Sequence, residues 1–110
     1  MANACKNSIT GSIGTAGVKV YETPVNTSTT VIGVGVANVN SNNISVSVMV
    51  RDNSANKVVF VVKDSLIIPG SSNVLVGGEQ KLVLEAGDIL KVSTSNASSA
   101  DVIVSLLEIT

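Results

Sequence analysis

From Val31 to Ile109 the chain is a succession of valine-rich segments cut by Gly, Asn and Ser clusters. The clearest segment runs Ile44, Val46, Val48 and Val50, alternating with Ser45, Ser47, Met49 and Arg51. That period of two predicts a strand with one buried and one polar face. In Thr30–Asn40, Ile32, Val34 and Val36 are expected to line one face, and Gly33, Gly35 and Ala37 the other. Side chains that small let another backbone approach closely. Asn40-Ser41-Asn42-Asn43 reads as a turn joining these two strands as a hairpin.

The other strands follow the same punctuation. Val18, Val20 and Tyr21 mark a short strand ending at Pro24. Val58-Val59-Phe60-Val61-Val62 is a continuous apolar run, which predicts burial on both faces with Phe60 inside. Leu66-Ile67-Ile68 leads into a Pro69-Gly70-Ser71-Ser72 turn. Val74–Val76 and Leu82–Leu84 are short strands flanking Gly77-Gly78-Glu79-Gln80. Ile89–Thr94 and Val102–Ile109 are the last two, with Val102, Val104 and Leu106 facing opposite to Ile103, Ser105 and Leu107. Residues 1–16 carry only Ile9 and Ile13 as apolar points and read as a polar N-terminal arm or a weak first strand.

About eight strands, turns every 8–12 residues and no helical period predict an all-β fold. The expected architecture is a single β-sandwich, jelly-roll or immunoglobulin-like, over residues 17–110. A closed barrel is the open alternative. A single domain is what 110 residues allow.

Composition sharpens the functional picture mainly by exclusion. The net charge is −1, and the seven Lys and Arg are spread along the chain. Nucleic-acid binding needs clustered cations and stacking aromatics, and aromatics are 2% here. No apolar run reaches membrane-spanning length. The start of the chain lacks the hydrophobic core of a signal peptide, so assembly in a cytoplasm is expected. Cys5 is the single cysteine and cannot form an internal disulfide.

His is absent, and no Ser sits in a Gly-x-Ser-x-Gly elbow. No catalytic residue, and hence no enzyme, is expected. A metal would require oxygen ligands, for which Asp52, Asp64, Glu79, Glu85 and Asp88 are the candidates. Their spacing matches no dense acidic motif, so they read as turn carboxylates. No metal or cofactor is expected.

Ile68-Pro69-Gly70-Ser71-Ser72, Gly77-Gly78, Lys81–Asp88, Lys91-Val92 and Asp101–Glu108 together resemble small structural proteins of tailed bacteriophages, notably marine and cyanobacterial ones. The resemblance implies an accessory virion component assembled in the host cytoplasm. Its first form is a capsid decoration (cement) protein, a homo-oligomer such as a trimer, that binds the major capsid protein. A tail, collar or fibre component binding tail proteins is the second form. A carbohydrate-binding module for host attachment is a third reading, which the shortage of aromatics disfavours. No functional residue transfers from the resemblance. From the residues themselves, the expected contacts are the segment around Lys6, Ile9 and Ile13, the small face Gly33, Gly35 and Ala37, and the loops at Asn53 and Ser71. Removal of residues 1–12 is expected to leave a folded domain that no longer attaches to its partner.

Overall fold

The computed structural model describes residues 3–77 and 81–110. Glu79 and most of the Gly77–Gln80 turn therefore lie outside the described residues. Nine strands and no helix are found among the described residues: β1 (Asn3–Ile13), β2 (Val18–Glu22), β3 (Ser28–Asn38), β4 (Ile44–Asp52), β5 (Lys57–Ile67), β6 (Ser72–Val76), β7 (Leu82–Leu84), β8 (Ile89–Thr94) and β9 (Ala100–Ile109). One sheet has the order β1-β9-β3-β6, with β7 also paired to β3, and the other has the order β2-β8-β4-β5. Every pairing is antiparallel. The two sheets pack as a β-sandwich.

The alternating strands meet between the sheets. Val46 and Val48 from β4, Leu90 and Val92 from β8, Val31, Val34 and Val36 from β3, and Val102, Val104 and Leu106 from β9 are all buried. β-branched side chains suit this interior because their χ1 is already restricted, so little rotamer freedom is lost on burial.

Four expectations change. Val31 takes the inward place and Ile32 is 41% exposed. The cause is a bulge between Val31 and Gly33 in the β3–β9 ladder, which adds one residue and flips the alternation. β3 and β4 do not form a hairpin, because they lie in different sheets. Asn38 shapes this corner: its side-chain amide donates to the carbonyls of Asn42 and Ile67, and its Oδ1 accepts from the amide of Asn40.

The run Val58–Val62 is not buried on both faces, and Phe60 is 52% exposed. β5 is an edge strand with β4 as its one ladder partner, so its other side has no sheet to cover it. Finally, the N-terminal segment is a full strand from Asn3. β1 follows β9 in register from Asn3↔Ile109 to Thr10↔Val102, and a bulge then brings Ile13 opposite Ala100 in the core.

Candidate interaction surface

The outer face of the larger sheet carries a row of four residues in cross-strand register. Ile9 on β1 pairs with Ile103 on β9, Ile103 with Gly35 on β3, and Gly35 with Val74 on β6. Ile9 and Val74 are 72% and 74% exposed, and Ile103 is also exposed. Gly35 has no side chain, so the row dips at its centre. The result is an apolar groove of about 330 Å³, floored by Gly35 and Ala37 and walled by Ile103 and Val74, with Ile9 and Asp101 on its border. A Cβ placed on Gly35 would lie 3.4 Å from the Ile103 methyl, at the limit of ordinary contact. The glycine keeps the groove open without being required for backbone geometry.

The sequence-derived contact residues thus separate. Ile9, Gly35 and Ala37 converge on this groove. Gly33 lies on the same strand, against the Val76 carbonyl. Ile13 is a core residue, 1% exposed. Lys6 points to the inner face at one end of the sandwich, where its Nζ lies 2.8 Å from Glu108 Oε1. Asn53 and Ser71 shape turns: the Asn53 amide donates to Asp88 Oδ1, and the Ser71 hydroxyl and amide both donate to the Ile68 carbonyl. Ile103 and Val74, placed on strands by the sequence, are not among its expected contact residues. Their signal was available only as outward positions on strands whose register the sequence does not give.

At that same end of the sandwich, Tyr21 donates its hydroxyl to Glu108 Oε2 at 2.6 Å and lies 2.8 Å from Thr29 Oγ1. The Lys6 and Tyr21 hydrogen bonds hold the Glu108 carboxyl below its usual range. Burial, then the bond to Glu108, pushes the Tyr21 hydroxyl up to about 12. Both groups therefore stay in their starting protonation states across neutral pH. The network is a fastener between sheets rather than an acid–base pair.

The fold also gathers three of the five acidic residues named above. Carboxylate oxygens of Asp52, Glu85 and Asp88 lie within 4.8 Å of one another. Local bonds already occupy the two aspartates. Asp88 accepts from the amides of Asn53 and Glu85, and Asp52 accepts from the Ser54 hydroxyl and the Ala55 amide. Those two bonds hold Asp52 below its ordinary value. Asp64 lies elsewhere, on β5, hydrogen-bonded to Ser47.

No protein-family model matches the chain, and no curated protein sequence does. Solved structures are similar in fold. A chain from the disulfide-linked pili of Bacillus endospore appendages superposes with a TM-score of 0.59 at 8% identity, covering 98% of this chain and 88% of that one. A protein of the T13 particle of IBDV superposes with a TM-score of 0.53 at 9% identity, covering 96% of this chain and 35% of that one. At such identities the likeness is one of fold: this chain has a β-sandwich of a kind that also occurs in a bacterial pilus and an icosahedral virus particle.

Proposed function

We propose that the protein is a non-enzymatic virion subunit of a tailed bacteriophage, a capsid decoration protein that attaches to the major capsid protein through the outer face of its larger sheet. The observation that carries this reading is the Ile9–Ile103–Gly35–Val74 row. It places an apolar groove on a rigid sheet, in a chain that has no histidine for acid–base or metal chemistry. A protein that coats a shell needs such a surface and little else. The sequence resemblance to small phage structural proteins supports the same reading. The fold is compatible with it, since β-sandwiches of this kind occur in assembled particles.

Labelling purified particles with an antibody to this protein and viewing them by electron microscopy tests the proposal. Label over the heads is expected. Label confined to tails, collars or fibres would replace it with the tail reading, and unlabelled particles would overturn both.

A further inference from the structure

We infer, on the basis of the proposed function, that the groove receives a segment of the shell protein in which an apolar side chain stands beside a lysine or arginine. The apolar group seats over Gly35, and the cation meets Asp101.

A cavity of about 150 Å³ lined by aliphatic side chains takes one six-membered ring. The groove holds about 330 Å³, room for two side chains rather than one. Ile103 and Val74 offer hydrocarbon walls to the first. Asp101, opposite Ala37 in the β3–β9 ladder, is the one charged residue lining the groove among the described residues. A long basic side chain suits the second place. Its methylene stem can lie on apolar surface while its charged head stays in water.

The carboxylate is held ready for such a partner. Ser12 donates its amide to Asp101 Oδ1 at 3.0 Å. Ser12 lies in the β1 bulge between Thr10 and Ile13, at a φ of 55°, which is uncommon for a residue other than glycine. A Cβ on Gly11 would come 3.2 Å from the same oxygen, so the glycine leaves the carboxylate room. Asp101 Oδ2 has no hydrogen-bond partner among the described residues. A cation from outside can take it.

The basic residues of the chain itself lie elsewhere. Lys19, Arg51, Lys57, Lys63 and Lys91 belong to β2, β4, β5 and β8 of the other sheet. Lys6 is turned inward onto Glu108. Lys81 precedes β7, which pairs with the opposite end of β3 from Ala37. None of them forms an ion pair with Asp101. The groove therefore carries an uncompensated negative charge, which favours a basic partner and repels an acidic one.

Sedimentation of the full chain with emptied heads, built from the major capsid protein of the same genome, tests this. Asp101→Asn keeps an oxygen for the Ser12 amide and removes only the charge. It should attach about tenfold more weakly. Asp101→Lys should attach more weakly still. Glu22→Gln removes the same charge from the other sheet and should attach as wild type does. Raising salt from about 0.05 to about 0.5 M should weaken wild-type attachment and leave that of Asp101→Asn nearly unchanged. The inference is overturned if Asp101→Asn, with native circular dichroism, attaches like wild type. Equal loss in Glu22→Gln, or wild-type attachment indifferent to salt, overturns it as well. Heads that take up no wild-type protein overturn the proposed function itself.

Discussion

The Tyr21 hydroxyl and the Glu108 carboxylate meet at 2.6 Å across the two sheets, joining β2 of one to β9 of the other. Lys6 of β1 closes the same network from the far side of Glu108. The core between the sheets is mostly aliphatic, and further hydrogen bonds cross it from Ser8 to the Val20 carbonyl and from Asn38 to the Ile67 carbonyl. The Tyr21–Glu108–Lys6 network adds a charged bond between the sheets at its own end. Tyr21→Phe leaves the ring packing but removes a hydrogen bond to a charged group. It should cost about 1–2 kcal/mol, read as a lower thermal midpoint, with secondary structure unchanged by circular dichroism.

The same network sets a pH window. Glu108 is more acidic in the folded chain than its ordinary 4.5, so its contribution is present above that pH and is lost as pH falls below it. Tyr21 is less acidic folded than unfolded, so its contribution is complete below pH 10.0 and is lost as pH rises toward about 12. Thermal midpoints should be flat between these limits and fall outside them. In Tyr21→Phe the alkaline decline should be weaker.

Val48 is completely buried at the centre of β4. Val48→Asp puts a carboxylate among Val46, Leu90 and Val92 with no partner. The cost should reach about 4 kcal/mol or more, enough to abolish soluble expression. A soluble mutant with native circular dichroism would contradict the assigned face.

Gly87 has a φ of +86°, and a Cβ there would lie 2.7 Å from the Asn53 side-chain amide. Gly87→Ala therefore combines backbone strain with displacement of the Asn53 loop, and should cost about 1–3 kcal/mol. Asn53→Ala removes the two closest atoms but leaves its Cβ 3.1 Å away and the backbone strain untouched, so the double variant should recover some stability but not all of it.

Deleting residues 1–12 is now expected to harm folding rather than attachment alone. β1 covers one edge of β9 over nearly its whole length and supplies Lys6 to the Glu108 network. The truncated chain should unfold at lower temperature and aggregate through the bared β9 edge. A truncated monomer as stable as the full chain would show that β1 is dispensable.

Much of this fold was legible because its strands announce themselves. The alternation in β4 and in Val102–Leu106 gave the correct inward residues, and Gly, Asn and Pro clusters gave the breaks. Strand pairing was not legible, and every change traces to it. Whether Val58–Val62 is central or at an edge depends on which strands flank it, and a continuous apolar run is the same in both cases. Ile32 turned outward through a bulge that leaves no mark in composition. The groove was half visible: Gly35 and Ala37 stood out as unusually small, and Ile9 as an apolar point in a polar strand. Ile103 and Val74 joined them only through register.

The central claim is that the outer groove attaches this protein to a capsid shell. Its most direct test is sedimentation of the purified protein with emptied heads built from the major capsid protein of the same genome. Wild-type protein should pellet with the heads and saturate at a fixed ratio. Ile9→Asp and Val74→Asp, both at strongly exposed groove positions, should stay in the supernatant while keeping native circular dichroism. Wild-type protein that stays in the supernatant, or groove variants that pellet like wild type, would contradict the account.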